Sequence, residues 1–243
     1  MKIPALEIMI RIFNDLLTLF FPRACLVCLM PLEETEQNVC LECFYNLPRL
    51  SRYASDSLQQ RLAIAKAHEI KTAALFRYMP DTNMQNIVYP FKYHGNYKLA
   101  YQMGRQIAIS VHAHEDFKTA DYLVPVPIHP KRKRKRGYNQ SEHLCLGISS
   151  VWKIPVRPDA LKRNVHTKSQ TKKLRDEREQ NVKGVFDLDN IDDLKGCHII
   201  LVDDVLTTGS TISSCAQCLF NIPDVKISIL TLAATTQSGK MNN

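Results

Sequence analysis

The chain has 243 residues, of which 45% are hydrophobic, and its 32 Lys and Arg residues against 24 Asp and Glu give a net charge of +8. This length accommodates one well-packed core and a small appendage, and the excess of cations favours an anionic partner. Eight unevenly spaced cysteines are too few for a disulfide scaffold of this size, so we expect a globular protein of the reducing cytoplasm.

The first 21 residues are apolar enough to raise the question of a membrane segment. Charges at Glu7, Arg11 and Asp15 interrupt them at i, i+4 spacing, whereas a spanning helix needs about 20 nearly uncharged residues. No cleavage site of small residues follows them, which excludes a signal peptide. We expect no transmembrane segment, but an amphipathic helix that packs on its own domain, on a partner or on a membrane surface.

Two cysteine pairs come next, Cys25 with Cys28 and Cys40 with Cys43, and eleven residues separate the pairs. Four thiolates on two tight turns suit tetrahedral zinc, and the alternatives are redox pairs or buried thiols. Because no open coordination position is implied, we expect one structural zinc ion. We assign residues 1–50 to the amphipathic helix and zinc module, and residues 51–69 to a connector.

From residue 70 onward, strand and helix patterns alternate, which is typical of an α/β domain. We place this domain at residues 70–235 and a disordered tail at residues 236–243. Four further cysteines are expected to be buried on helix faces rather than to bind metal: Cys145, Cys197, Cys215 and Cys218. The predicted strands span residues 73–78, 122–126, 184–188, 199–202 and 225–233, and the predicted helices lie within residues 84–111, broken near Gly95, and at 139–151 and 212–220.

Six consecutive cations occupy residues 131–136, directly after the strand at 122–126. Such a run predicts a solvated loop that attracts polyanions, at the sheet edge where ligands of open α/β sheets bind. Residues 163–183 are the most polar stretch and predict a mobile loop or hairpin that closes over a bound anion. The candidate nucleic-acid contacts are Lys131, Arg132, Lys133, Arg134 and Lys135.

The strongest motif is Ile-Ile-Leu-Val-Asp-Asp-Val-Leu-Thr-Thr-Gly-Ser-Thr at residues 199–211. Its apolar run predicts a strand buried on both faces, which Asp203 and Asp204 end. Hydroxyls and backbone N–H groups then precede a helix, where an anion is favoured, and Gly209 allows a phosphate to approach closely. Two carboxylates suit the vicinal diol of a sugar, so the motif predicts a ribose 5-phosphate site.

The alternative to this interpretation is an ordinary strand–loop–helix connection. A nucleotide-binding P-loop is excluded, because the chain lacks the Gly-x4-Gly-Lys pattern here. Lys92, between the aromatic residues Phe91 and Tyr93, is either a ligand contact or a solvated helix end. From the residues alone the solvated end is favoured, since most lysines are exposed.

Residues 199–211 resemble the fingerprint of the type I phosphoribosyltransferases, which binds the ribose and 5-phosphate of phosphoribosyl pyrophosphate. An N-terminal module of cysteine pairs followed by such a domain resembles the ComF family, bacterial proteins linked to natural competence and the use of imported DNA. The resemblance covers nearly the whole chain and includes residues 91–95, 124–129 and 136–141, with Arg163, Gln170, Arg178, Asn181 and Phe186. It implies a Rossmann-type parallel sheet of the type I phosphoribosyltransferase kind.

The resemblance also implies roles for individual residues. Asp203 and Asp204 would hold the ribose hydroxyls and Arg136 would meet pyrophosphate, which makes these three the catalytic candidates. Mg²⁺ would bridge pyrophosphate and ribose oxygens. The ligand-binding candidates are Val205, Thr207, Thr208, Gly209, Ser210, Thr211, Lys92, Gln140, Gln170 and Arg178.

Two hypotheses of different classes follow. The first is an enzyme that transfers a phosphoribosyl group from phosphoribosyl pyrophosphate to an unidentified acceptor. The second is a DNA-uptake accessory that binds single-stranded DNA, works with DNA-uptake or helicase proteins, and keeps the ligand site without turnover. An acceptor pocket would distinguish them, and nothing in residues 70–103 spells one out.

Overall fold

The computed structural model describes residue 9 and residues 23–50, 58–59, 62–79, 82–93, 95–111, 117, 119–164 and 185–235. The predicted N-terminal helix (apart from Met9), the predicted tail, Gln170 and Arg178 lie outside these residues. The chain divides into two compact units, Met1–Leu47 and Pro48–Asn243. Within the described ranges, no helix has both the length and the apolar character that crossing a bilayer requires.

The first unit carries the two cysteine pairs on short turns. An antiparallel bridge joins Ala24 to Pro31, and helix α1 (Leu41–Tyr45) begins directly after Cys40. Among residues 23–47, only Cys25 and Leu47 are buried. A segment with so small a core needs a staple such as a metal or disulfides.

The second unit is built on a four-stranded sheet of β1 (Lys71–Arg77), β2 (Tyr122–Pro125), β5 (His198–Leu206) and β6 (Lys226–Ala234). Their order in the sheet is β1-β6-β5-β2. All three neighbouring pairs are parallel, which requires crossover connections between the strands. Parallel strands are covered on both faces, and this explains the continuous apolar runs in the sequence. The predicted α/β class with a parallel sheet is confirmed.

Within the described ranges, five helices longer than α1 accompany this sheet: α2 (Asn83–Tyr93), α3 (Tyr97–Val111), α4 (Pro130–Arg136), α5 (Gln140–Trp152) and α6 (Ser210–Leu219). Helices α3 and α5 cross with their backbones in contact, because glycines face each other there. A Cβ on Gly104 would lie 2.2 Å from the carbonyl oxygen of Leu144, and one on Gly147 would lie 2.1 Å from that of Tyr101. The break between α2 and α3 falls at Gly95, where it was predicted.

The prediction of a solvated loop at residues 131–136 is wrong, since these six cations form most of helix α4. Pro130 occupies its first turn, the His129 imidazole accepts the N–H of Lys131 at 3.1 Å, and Gly137 ends it in the left-handed conformation. Lys and Arg are good helix formers, and cations near a helix C-terminus complement its dipole. Capping therefore outweighs the mutual repulsion of the charges.

Two other predictions need correction. Strand β5 does not end at Asp203 and Asp204 but runs on to Leu206, because Val205 and Leu206 pair with Ala233 and Ala234 of β6. Cys197 is not on a helix face; it precedes β5 and is partly exposed. Cys145 and Cys215 are buried on helices as expected, while Cys218 is only partly buried.

A small antiparallel pair, β3 (Leu161–Arg163) with β4 (Phe186–Leu188), stands apart from the main sheet. It brackets residues 165–184, which are outside the described ranges. The Arg163 guanidinium lies 5.3 Å from the centre of the Phe186 ring. The described residues on either side of this stretch thus lie next to each other, and the Asn164 N–H donates to the Val185 carbonyl at 2.9 Å.

Candidate functional site

The carboxyl ends of β1, β2 and β5 meet at one edge of the parallel sheet, and a pocket of about 340 Å³ opens there. Ligands of open α/β sheets bind at this edge. Eight of the predicted catalytic and ligand-binding residues line the pocket: Lys92, Arg136, Gln140, Asp203, Asp204, Val205, Thr207 and Thr211. Thr208, Gly209 and Ser210 lie in the same loop without lining it, and the remaining walls come from Tyr78, Tyr93, Val126, Pro127, Ile128, Arg132 and Arg163.

The two aspartates are each fixed through one carboxylate oxygen. Asp203 Oδ1 accepts the Ser141 hydroxyl at 3.0 Å and the backbone N–H of Asp204 at 2.9 Å. Asp204 Oδ1 accepts the backbone N–H of Val205 at 2.6 Å. The second oxygen of Asp203 is therefore left to interact with what occupies the pocket, whereas the second oxygen of Asp204 faces Lys92.

Lys92 is the counter-ion of Asp204, which is only 5% exposed. Its Nζ lies 3.0 Å from Asp204 Oδ2, although the angle leaves that buried oxygen without a hydrogen bond. The sequence alone favoured a solvated helix end for this lysine. Lys92 lies in the last turn of α2, and its partner Asp204 is more than a hundred residues away in the chain. The local sequence therefore could not reveal the pair.

The pKa of Asp203 is raised to about 7, chiefly because the carboxyl is withdrawn from water and secondly because Asp204 is negative. The hydrogen bonds from the Asp204 N–H and Ser141, and the charge of Lys92, oppose this rise. A carboxylate that titrates near neutrality gains from any cation or hydroxyl donor that enters beside it. The acidic pair is thus suited to a diol or a divalent cation, as its adjacency predicted.

The loop between β5 and α6 presents polar groups at a helix N-terminus. Gly209 precedes α6 with φ 79° and provides no side-chain cap. Thr208 Oγ1 lies 3.1 Å from Ser210 Oγ, while Thr207 and Thr211 line the pocket. Uncapped N–H groups and hydroxyls at the start of a helix favour an anion.

The structure gives Gly209 a role in packing, while the close approach of a phosphate stays a prediction. A Cβ at this position would lie 2.7 Å from Leu62 Cδ2 and 3.7 Å from Leu206 Cδ1, so it would meet core side chains. Glycine is required by the left-handed backbone and by the packing of Leu62, which is 1% exposed.

Helix α4 turns one face toward the pocket. Arg132 and Arg136, one turn apart, line it together with Arg163. The Arg136 guanidinium donates a hydrogen bond to Gln140 Oε1 and lies 6.0 Å from the centre of the Tyr93 ring. Of the predicted nucleic-acid contacts, Arg132 therefore belongs to the pocket wall.

Hydrogen bonds at the start of α5 connect it to other elements around the pocket. Asn139 is buried, accepts the N–H of Ser141 and donates to the Val126 carbonyl at 3.0 Å. The Tyr138 hydroxyl donates to the carbonyl of Phe91 in α2. These residues belong to the motif at residues 136–141, and the sequence alone assigned them no role. The signal that marks them is a short polar run at the start of a helix.

The four N-terminal cysteines form a cluster in which all Sγ atoms lie within 4.8 Å of one another. Cys28 and Cys40 Sγ are 3.8 Å apart, which equals the roughly 3.8 Å between thiolates on a tetrahedral zinc with Zn–S bonds of about 2.3 Å. Burial works to raise the pKa of Cys25, but hydrogen bonds from the backbone around Cys28, Cys40 and Val27 outweigh it and lower that pKa to about 7. The predicted four-cysteine cluster is confirmed, and its donor set could hold a metal ion.

Comparison with curated proteins finds relatives, although no family model matches the chain. Competence protein F of Haemophilus influenzae is 29% identical over 152 residues, which are 60% of this chain and 66% of that protein. DNA utilization protein YhgH of Escherichia coli K12 is 29% identical over 61% of this chain and 66% of its own length. Competence protein ComFC of Bacillus subtilis is 35% identical over 97 residues, 40% of this chain and 37% of that protein. The matched region therefore spans just under two thirds of the first two relatives.

Phosphoribosyltransferases are among the solved structures that match the chain. Glutamine phosphoribosylpyrophosphate amidotransferase of B. subtilis matches with a TM-score of 0.39 and 19% identity, over 62% of this chain and 28% of that one. Adenine phosphoribosyltransferase of Leishmania donovani matches with a TM-score of 0.36 and 13% identity, over 66% of this chain and 74% of that one. Likenesses with scores this low support no inference about a ligand or a reaction.

Proposed function

The relatives assign the chain to the ComF family, and from this premise we propose that it binds phosphoribosyl pyrophosphate or ribose 5-phosphate while serving competence and the use of imported DNA. One observation carries the ligand proposal. A single pocket is lined by an adjacent pair of carboxylates, by the hydroxyl loop at the start of α6 and by Arg132, Arg136 and Arg163. Diol acceptors, a phosphate cradle and a cationic wall are the three parts that this ligand requires.

Each part of the ligand has its own group of residues. Asp203 accepts a ribose hydroxyl through its free oxygen, and Asp204 accepts the other in exchange for its ion pair with Lys92. Thr207, Thr211 and the N–H groups at the start of α6 hold the 5-phosphate. The arginines and Lys92 meet the pyrophosphate, whose departure from the anomeric carbon would leave an oxocarbenium-like centre next to the acidic pair.

Magnesium fits this site. Asp204 Oδ2 is buried without a hydrogen bond and the pKa of Asp203 is close to neutrality, so two hard oxygen donors stand where a divalent cation gains most. When bound, magnesium would neutralise the pyrophosphate. The chain's own residues position the ribose and place positive charge beside the leaving pyrophosphate.

Calorimetric titration tests the ligand proposal. With magnesium present, phosphoribosyl pyrophosphate and ribose 5-phosphate should bind to the wild type, and 2-deoxyribose 5-phosphate should bind about ten-fold more weakly because one carboxylate loses its donor. Asp204→Asn should weaken binding, while the exposed control Asp224→Asn should not. The proposal would be overturned if no heat were measured at millimolar ligand, or if ribose 5-phosphate and 2-deoxyribose 5-phosphate bound with equal affinity.

For the cysteine cluster we propose one structural zinc ion, held by Cys25, Cys28, Cys40 and Cys43. The support is the close approach of four sulfur atoms in a unit whose described residues have almost no apolar core. Zinc bound in this way contributes directly to folding free energy.

A second candidate function is binding of single-stranded DNA by the outward face of α4. Lys131, Arg134 and Lys135 are exposed and have no ion pair within the described residues, whereas Lys133 lies 3.8 Å from Glu142. Three cations that repel one another on one helix gain most from a polyanion. This function requires no turnover and is compatible with ligand binding in the pocket.

A further inference from the structure

Three exposed tyrosines are gathered near one end of the basic helix α4. In the described ranges the exposed aromatic side chains are Tyr45, Tyr89, Tyr93 and Tyr97, and the last three are 54%, 65% and 47% exposed. Large aromatic rings left in water are unfavourable unless something covers them. Their grouping therefore calls for an occupant.

Each of the three rings contacts a neighbouring aromatic ring. Tyr89 and Tyr93 are one turn apart on α2, with ring centres 4.6 Å apart and planes inclined by 37°. Tyr97 begins α3, and its ring lies 5.2 Å from His143 and 6.1 Å from Tyr138. Because Tyr89 and Tyr93 already contact each other, a planar group cannot enter between them and has to stack on the solvent-exposed part of the pair.

Tyr93 and Tyr97 lie near the C-terminal end of α4. The Arg136 guanidinium lies 6.0 Å from the centre of the Tyr93 ring, and Tyr138 follows α4 directly after Gly137. The exposed cations Lys131, Arg134 and Lys135 belong to the same short helix. Positive charge and stacking surface thus share one region.

We propose that Tyr89, Tyr93 and Tyr97 are a platform on which the bases of a single-stranded nucleic acid stack while its phosphates lie against α4. The proposal rests on the second candidate function and adds the means by which single strands are preferred. Every base has a π face, so stacking on tyrosine is tolerant of sequence. In a duplex these faces are occupied by neighbouring bases, so tyrosine rings cannot stack on them. An acidic protein is a different occupant, which would use the cations without needing bases.

The test separates bases from phosphates. Fluorescence anisotropy at low salt should compare a labelled oligothymidylate, an abasic chain of the same length and charge, and a duplex. The variant Tyr89→Leu/Tyr97→Leu removes two rings that do not line the pocket, and Tyr89→Phe/Tyr97→Phe is the matched control that keeps the stacking faces. Circular dichroism and ribose 5-phosphate titration check that each variant is folded.

We expect the wild type to prefer oligothymidylate to the abasic chain, and the leucine variant to lose roughly ten-fold in affinity per ring while binding the abasic chain unchanged. The phenylalanine variant should bind as the wild type does. If the wild type binds both chains equally, or the leucine variant keeps its preference for bases, the platform is wrong while DNA binding through α4 stands. If the wild type binds no oligonucleotide at low salt, the second candidate function fails and the platform fails with it.

Discussion

The hydroxyl of Ser141 is fully buried and donates to Asp203, so a single oxygen atom helps to decide the charge and orientation of the acidic pair. Asp203 and Ser141 are 62 residues apart, and only the fold brings them together. At this scale the site depends on groups that do not themselves face the pocket. Removing them should change how the pocket titrates before it changes the shape of the pocket.

Ser141→Ala should raise the pKa of Asp203 further, because a hydrogen bond to its ionised form is lost. Ribose 5-phosphate with magnesium should then bind about three- to ten-fold more weakly near pH 7, and the loss should shrink at pH 8.5, where Asp203 is ionised in both proteins. Titrations between pH 6 and 8.5 measure this shift. The control Ser150→Ala removes a hydroxyl from the same helix, where it bonds to the Gly147 carbonyl. A pH-independent loss would assign Ser141 a purely structural role.

The raised pKa of Asp203 also makes a prediction about stability. An unfolded Asp ionises near pH 4, whereas folded Asp203 keeps its proton until about pH 7. Between these values the folded state binds more protons, so this residue's contribution to stability falls as pH rises. Asp203→Asn should therefore raise the Tm at pH 8 clearly and at pH 4 hardly at all. A Tm increase that is equal at both pH values would contradict this account.

Gly209 supplies a third prediction at the residue scale. Gly209→Ala should lower the free energy of unfolding by about 1–2 kcal/mol through its left-handed backbone, with a further cost from the contact with Leu62. Urea denaturation of Gly209→Ala, Leu62→Ala and the double variant measures both parts. The double variant should be less destabilised than the sum, since removing Leu62 relieves the contact and leaves the backbone strain. Additive losses would show that the two residues are independent.

Helix α4 is the element that sequence patterns described least well. Its seven residues contain six cations, yet its two faces have different surroundings: Arg132 and Arg136 line the pocket, and Lys131, Arg134 and Lys135 face away from it. An i, i+4 pair belongs to one face of a helix, whereas a loop would have no such division. Forming a helix therefore separates one charge run into two surfaces.

The two surfaces should be separable by mutation. Arg132→Ser/Arg136→Ser should weaken phosphoribosyl pyrophosphate binding more than ten-fold. Lys131→Ser/Arg134→Ser/Lys135→Ser should leave it unchanged and should reduce the salt slope of oligonucleotide binding by about 0.7 per cation removed. Calorimetry and anisotropy at several salt concentrations measure the two effects. If either variant weakens the binding of phosphoribosyl pyrophosphate and of the oligonucleotide equally, the two faces of α4 do not have separate functions.

The order of the strands and helices was predictable because each element of the parallel sheet is a continuous apolar run between polar turns. The acidic pair and the phosphate loop were also recognisable, since their residues are consecutive. The α4 helix was not, because its capping by His129 and Gly137 is weaker in the sequence than the run of charge it bounds. Lys92 depends on its contact with Asp204 in a distant part of the chain, which no local pattern encodes. Tyr89, Tyr93 and Tyr97 are regularly spaced in the sequence, but the contacts of Tyr93 with Arg136 and of Tyr97 with His143 depend on the fold.

At the scale of the whole molecule, the two compact units differ in what stabilises them. The Pro48–Asn243 unit has a large buried core, while the described part of Met1–Leu47 buries little more than Cys25 and Leu47. A unit without its own core depends on its staple. Loss of the metal should therefore affect one unit and spare the other.

Purified protein should contain close to one zinc ion per chain, and Cys25→Ser/Cys40→Ser should abolish it. The variant should become sensitive to proteolysis within residues 23–47 and should keep ribose 5-phosphate binding, which belongs to the other unit. Cys197→Ser is the control, because Cys197 lies outside the cluster. Zinc content by mass spectrometry and mapping of the cleavage sites provide the measurements. Unchanged zinc in the double variant would rule out the assigned ligands.

The position of β6 in the sheet has a consequence for how the protein is made. β6 is the last strand of the described chain, yet it lies in the interior of the sheet, between β1 and β5. On the ribosome, β1 must wait until Ala234 has emerged before it finds its neighbour, so the sheet cannot assemble progressively during synthesis. A nascent chain stalled before Lys226 would expose the apolar edges of β1 and β5 together. We expect such chains to be bound by chaperones, and release past Ala234 to be the event that commits the domain to its fold.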